Sequence, residues 1–368
     1  MTVSNKRLSS EGFLYPDFSL SRIAAQTNKG IFEVDSAGLK RNKFARQISE
    51  VITQIQPFHA FAIGINAPWG SGKTSLIELI VANLKIHAES KKYLFIDFSP
   101  WYFSNPEMLI TSFFSLLEDK FRHNKHLVSE LKAYGKEITK AEKSLLKTDF
   151  TKLLFETSLT LKERRETIIK QILQEGKVLI VSIDDLDRLD KKEIVDIFRL
   201  IRLIADFPNT FYIVGYDRNY INSAIEHELT KYSPEKYADK IFNVEFKIPE
   251  LSTDIIKERT KMYIEKQIEI LGEKVGRIDK VELSKCFDYS GLDRFIKNER
   301  NIKQFTNNLI MRYLSIKDEV NFYFFFLLEL INYQDPNLLS SLYESRVSIF
   351  KKYREFETGK LESESIDF

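Results

Sequence analysis

Between an apolar stretch at 58–66 (FHAFAIGIN) and a helical pattern at 75–86 (SLIELIVANLKI), the chain runs Ala67-Pro-Trp-Gly-Ser-Gly-Lys-Thr-Ser75. No other segment constrains the fold so strongly. A strand, a glycine-rich loop and a helix in that order aim free backbone N–H groups at one point, where the positive end of the helix also faces. Gly70 and Gly72 let the backbone curl, Lys73 brings charge to the outer phosphates of a nucleotide, Thr74 offers a hydroxyl to Mg²⁺, and Ser75 opens the helix. Pro68, Trp69 and Ser71 complete the nucleotide-contacting loop. The usual pattern, G-x-x-x-x-G-K-[ST], starts with glycine, whereas this chain has Ala67. An added methyl group is tolerable where φ is negative; in a conformation open only to glycine, the loop would be distorted and hydrolysis weak. A glycine-rich turn with an incidental lysine is the bland alternative, and the flanking strand and helix argue against it.

Four more apolar runs read as buried strands: 91–99 (KKYLFIDFS), 177–185 (KVLIVSIDD), 210–217 (TFYIVGYD) and 243–248 (NVEFKI). Helical stretches separate them, among them 193–207, and a helix begins near Asp35 as its N-cap. This alternation predicts an α/β fold with a five-stranded parallel sheet covered by helices. The interval 105–176 is too long for one crossover and reads as inserted helices. Beyond Pro249 only helices are expected, with the aromatic run 320–331 buried in one of them. The expected organisation is an N-terminal extension at 1–30, a core at 31–250 with that insertion, a helical lid at 251–355 and an acidic tail at 356–368.

The third strand is expected beside the phosphate loop, and it ends in Asp184-Asp185. Asp184, which closes the strand, suits the Mg²⁺ shell, and Asp185 suits the general base that activates water. Asp187 and Asp190 fit a solvated loop or a helix cap. Asp217 ends the fourth strand, where it either holds the attacking water or caps the next helix. Arg188 either pairs locally with Asp185 or Asp187 or reaches a neighbouring subunit's nucleotide as a finger. His123 and His126 stand three apart, with no partner that would make a metal site.

Lys+Arg 55 against Asp+Glu 53 gives a net charge of +2, which offers no argument for wholesale binding to nucleic acid or an anionic membrane and leaves a local patch open. The single Cys286 cannot form an internal disulfide, and the opening residues lack the apolar run of a signal peptide, so a buried thiol and a cytoplasmic setting are expected. The longest apolar run is far short of the ~20 residues a membrane span needs.

Six blocks now stand in order: 68–75 (PWGSGKTS), 98–107 (FSPWYFSNPE), 183–189 (IDDLDRL), 212–225 (YIVGYDRNYINSAI), 237–250 (YADKIFNVEFKIPE) and 300–309 (RNIKQFTNNL). Together they make the chain resemble a KAP-family P-loop NTPase of the STAND branch. The resemblance covers about 30 to 310 and implies Mg²⁺-ATP as ligand and a helical lid from which Arg300 or Lys303 approaches the nucleotide. A solvated helix face is the plain alternative for those two. Trp101 and Tyr102 read as core aromatics in preference to nucleotide contacts. Many KAP proteins carry membrane spans between the two nucleotide-binding motifs; the segment 122–147 is too charged for that.

The expected function is a slow ATPase that acts as a switch: nucleotide binding changes an assembly surface and hydrolysis resets it. A homo-oligomer or a complex with an effector protein would deliver the effect, and the resemblance suggests anti-phage defence. Two alternatives differ in kind. One is an ATP-dependent motor or loader on nucleic acid, disfavoured because glutamates interleave the lysines of 122–147 and 351–356; the other is a scaffold that binds ATP with negligible turnover. ATP is preferred to GTP because no Asn-Lys-x-Asp element stands in the expected place.

Overall fold

The computed structural model describes residues 22, 31–32, 40–86, 92–103, 105–144, 159–229, 233–276, 278–288 and 291–357. The expected N-terminal extension apart from Arg22, the Asp35 cap, residues 145–158 of the insertion and the acidic tail beyond Glu357 lie outside them. The chain divides into two compact units at Pro249 and Glu250.

The first unit contains five strands, β1 (Phe61–Asn66), β2 (Tyr93–Phe98), β3 (Val178–Ile183), β4 (Thr210–Tyr216) and β5 (Val244–Lys247). All pair in parallel, in the order β2-β3-β4-β1-β5. Their sequences explain the order. β4 is buried at every position and β1 at its four central ones, as strands covered on both faces must be, whereas β5 alternates half-buried and exposed residues as an edge strand does. The register sets Ile63 against Ile213 on one side and Val244 on the other, and Ile183 against Val214 and Phe98.

In this order the third strand does not pair with β1; β4 lies between them. Any residue at the end of β3 therefore reaches the loop after β1 only across the end of β4.

Helices α1 (Asn42–Gln54) and α2 (Lys73–Ile86) pack around Ile48, Ile52, Leu76 and Ile80 on one face of the sheet. On the other face, α3 (Pro106–Lys120), α4 (Lys125–Ser144) and α5 (Leu159–Glu175) form the insertion, with Phe113, Phe114 and Tyr134 in its core. The stretch expected as one helix at 193–207 is α6 (Lys191–Arg199) followed by a wider turn, Leu200–Ile204, in which the Ala205 N–H donates to the Leu200 carbonyl five residues back. Buried Leu200, Ile201 and Ile204 hold that turn against the core. α7 (Arg218–Glu228) and α8 (Pro234–Ile241) follow β4 and lead into β5.

Among its described residues the second unit is helical: α9 (Thr253–Leu271), α10 (Lys280–Asp288), α11 (Leu292–Phe295), α12 (Glu299–Ile316), α13 (Phe322–Gln334) and α14 (Pro336–Glu357). Ser252, Asn298 and Asn321 start α9, α12 and α13 by accepting backbone N–H bonds, as N-cap residues do. The core gathers Ile264, Cys286, Phe305, Leu309 and Phe326; burial pushes the Cys286 thiol up to about 12. The aromatic run expected to be buried lies in α13, which hides Phe322, Phe325 and Phe326 but leaves Phe324 and Leu328 exposed. No described helix is long and apolar enough to cross a membrane.

Candidate nucleotide site

The loop between β1 and α2 is tied at both ends by backbone bonds. The Ala67 N–H donates to the Tyr216 carbonyl at 3.1 Å, continuing the β1–β4 pairing, and the Leu76 N–H donates to the Gly72 carbonyl at 3.1 Å, the first bond of α2. Between them Gly70 and Gly72 take φ of 82° and 84°. Ala67 is buried and is not among the residues with positive φ, so this position does not require glycine. The conformation in which an alanine would distort the loop is not adopted.

Lys73 begins α2 and is only 6% exposed. Its ammonium donates to the Ala67 carbonyl at 3.2 Å and lies 3.4 Å from Asp187 Oδ2. Asp187, read from sequence as a solvated or capping residue, instead stands 12% exposed against this lysine. The chain signal was its position three residues after Asp184: Leu186–Arg188 form a tight three-residue turn, which returns every third residue to one side. Asp190, in contrast, caps α6 with a reciprocal Glu193 bond.

Asp184 follows the last residue of β3, and its carboxylate accepts a hydrogen bond from the Thr74 hydroxyl, so the two proposed metal-shell residues meet. Burial pushes its pKa up to about 6; the bond from the Thr74 hydroxyl, the bond from the Asp185 backbone and the Lys73 charge oppose the shift, and the Asp185 charge adds to it. The meeting depends on Gly215 in β4, since a Cβ there would lie 2.5 Å from Asp184 Oδ1. That oxygen is buried with no hydrogen-bond partner. A hydroxyl beside a buried carboxylate with one unsatisfied oxygen fits Mg²⁺, which takes one or two protein oxygens and keeps several waters. No group of three or more His, Cys, Asp or Glu side chains suited to caging a metal occurs among the described residues.

Asp185 departs from the strand with φ 59° and ψ 34°, a left-handed conformation that aspartate adopts more readily than most residues. Its Oδ2 lies 3.0 Å from Arg188 Nη2. The Arg188 guanidinium sits 5.2 Å from the Trp101 ring, which stacks on Tyr102 at 3.8 Å. Trp101 and Tyr102 are 39% and 66% exposed, which overturns their reading as core aromatics. The short turn Pro100–Tyr102 buries Pro100 and turns the two rings outward.

Asp217 caps α7, its Oδ1 accepting from the Asn219 N–H at 3.0 Å. Neighbouring Arg218 binds Asp239 and Glu245. Arg41, which no sequence pattern singled out, donates to the Ser71 carbonyl, and its guanidinium comes within 2.5 Å of where a Gly72 side chain would begin. His123 pairs with Glu175 at 2.8 Å. Arg300 and Lys303 lie on α12 in the second unit, where the Lys303 charge helps hold the Glu299 carboxyl down.

Residues 41–316 match the model of the KAP family P-loop domain. The chain is 26% identical over 330 residues to the phage T7 exclusion protein of Escherichia coli K12, a match that takes in 80% of this chain and 44% of that one. It thus spans less than half the length of that relative. Among solved structures, the Aeropyrum pernix ORC2 protein is similar at a TM-score of 0.38 and 11% identity over 79% of this chain and 66% of that one. The Cdc6p protein of Pyrobaculum aerophilum gives 0.38 and 12%, over 77% and 63%.

Proposed function

The chain belongs to the KAP family of P-loop domains, and on that premise we propose that it is an Mg²⁺-dependent ATPase whose nucleotide cycle gates its assembly. The observation that carries this reading is the convergence of Lys73, Thr74 and Asp184, with one Asp184 oxygen buried and unsatisfied. The backbone of Gly70–Thr74 and the start of α2 bind the phosphates, and Lys73 exchanges Asp187 and carbonyl oxygens for phosphate oxygens. Thr74 and Asp184 would hold Mg²⁺, which would supply positive charge to neutralise the outer phosphates. Asp185 takes a proton from the water that attacks the γ-phosphorus, as ADP departs with the electron pair of the broken bond. Asp217, whose Oδ1 caps α7, remains a proposed contact to the attacking water.

The name of the Escherichia coli relative supports a setting in phage exclusion, through a homo-oligomer or an effector protein. The test couples chemistry to assembly. Phosphate release from ATP and mass photometry with and without Mg²⁺-ATP are compared for the parent, Lys73→Ala and Asp185→Asn. The parent should hydrolyse ATP and change mass with it. Lys73→Ala should do neither, and Asp185→Asn should assemble without turning over. Parental ATP binding by Lys73→Ala would sink the site. A rate that depends steeply on added DNA or RNA would favour a nucleic-acid motor instead.

A further inference from the structure

Two short turns face each other at the C-terminal end of the sheet. β2 and β3 are neighbours, with Phe98 in register with Ile183, so the turn Pro100–Tyr102 and the turn Leu186–Arg188 emerge side by side. Arg188 joins them. Its guanidinium lies over the Trp101 ring at 5.2 Å while Nη2 binds Asp185 Oδ2 at 3.0 Å. Tyr102 stacks behind Trp101 at 3.8 Å and stiffens the platform.

The arrangement acts on the residue assigned to the attacking water. A carboxylate oxygen engaged by a guanidinium cannot also receive a water molecule in the same direction. Asp185, 27% exposed, thus has its Oδ2 engaged by its own neighbour. Arg188 is 47% exposed, and each of its two holds is of a kind worth little on an open surface, so the grip is one that opens readily.

We propose that Arg188 and Trp101 are positioning residues that latch Asp185 in a resting arrangement, and that turnover proceeds from the fraction of molecules in which Arg188 has left it. The inference rests on the role of Asp185 given under Proposed function. Trp101 contributes through the planar guanidinium it supports, and therefore a flat aromatic ring, rather than an indole in particular, is what the latch needs. The exposed aromatic turn becomes a means of setting the basal rate rather than a piece of misplaced core.

Steady-state ATP hydrolysis by the full chain tests this with Arg188→Ala, Arg188→Lys, Trp101→Ala, Trp101→Phe, Asp185→Asn and the Arg188→Ala, Asp185→Asn pair. Arg188→Ala should raise kcat about fivefold and Trp101→Ala about two- to threefold, the scale of one exposed ion pair and one exposed ring contact. KM for ATP should stay within about twofold, because neither residue binds the nucleotide in this scheme. Trp101→Phe should restore the parental rate, and Arg188→Lys, which keeps charge but loses the flat stack, should fall between parent and Arg188→Ala. A purely structural role would lower kcat in every variant and gain nothing from phenylalanine. The paired variant should be as inactive as Asp185→Asn. An unchanged or lower kcat in Arg188→Ala, with Asp185→Asn inactive, overturns the latch while leaving the role of Asp185 standing. Parental turnover by Asp185→Asn overturns that role, and the latch with it.

Discussion

Lys73 Nζ lies 3.4 Å from Asp187 Oδ2, with the lysine 6% and the aspartate 12% exposed. The carboxylate neutralises the ammonium that, on the proposed reading, binds phosphate, and so stands in for that anion. Removing it leaves a nearly buried charge with only carbonyl partners, which costs more than an exposed pair would. Asp187→Ala should destabilise the nucleotide-free protein by about 1–3 kcal/mol. Saturating Mg²⁺-ATP should recover most of that, because phosphate oxygens then neutralise Lys73. Thermal melts with and without nucleotide measure both terms; an equal loss in both conditions would show that Asp187 serves packing rather than the lysine.

Asp184 links the site to pH. Its carboxyl titrates near 6 in the fold against a reference of 3.8, chiefly because it is buried. A raised carboxyl means that the folded state holds the proton more tightly. Its contribution favours folding below about pH 4 and is lost as pH rises through about 6, where the ionised group is fully penalised. Asp184→Asn should therefore stabilise the nucleotide-free protein at pH 7.5 by about 1–3 kcal/mol and flatten the stability profile between those values. The same variant should lose Mg²⁺-dependent ATP turnover. A lower melting temperature at pH 7.5 would mean that the ionised carboxylate is already satisfied.

How much of this was legible in the chain follows from how local each feature is. The loop from Pro68 to Ser75 could be read because contiguous backbone does its work, and the strands because full burial writes unbroken apolar runs such as Val178–Ile183. Gly215 and Arg41 escaped notice, and Asp187 was assigned to a solvated loop or cap, because each matters through a residue distant in sequence: Asp184, Ser71 and Lys73. The strand order escaped for the same reason, since pattern alone does not say that β4 separates β1 from β3. Trp101 and Tyr102 were misread because aromatic residues after a buried strand usually continue the core, and here Pro100 ends it.

Gly215 offers the sharpest steric test of the Thr74–Asp184 meeting. A methyl group there would fall 2.5 Å from Asp184 Oδ1 and 3.0 Å from the Ile77 side chain. Neither can yield freely, because one is a buried carboxylate oxygen and the other, on α2, is packed in the core. Gly215→Ala should cost about 1–3 kcal/mol of stability, and ATP turnover should fall by about tenfold or more as Asp184 is displaced. If turnover falls no more than the folded fraction does, Asp184 is not held where the chemistry needs it.

In the second unit, Glu299 gives a pH dependence of opposite sign. Burial alone would raise its carboxyl, yet Arg259, whose Nε donates at 2.7 Å, and the Tyr263 hydroxyl favour the ionised form enough to hold it below its reference of 4.5. A lowered carboxyl contributes stability that is present above the unfolded value and lost as pH falls through the folded one. The helices α9 and α12 that carry Arg259 and Glu299 should therefore loosen below about pH 4.5. Glu299→Gln leaves Arg259 buried beside a neutral amide and should cost about 3–5 kcal/mol, whereas Arg259→Met with Glu299→Leu, which removes both charges, should cost much less. Melting temperatures of the three proteins between pH 3.5 and 7.5 separate the cases. If the single and double variants are equally unstable, the pair is held for its shape, and the acid-side loss belongs to other carboxylates.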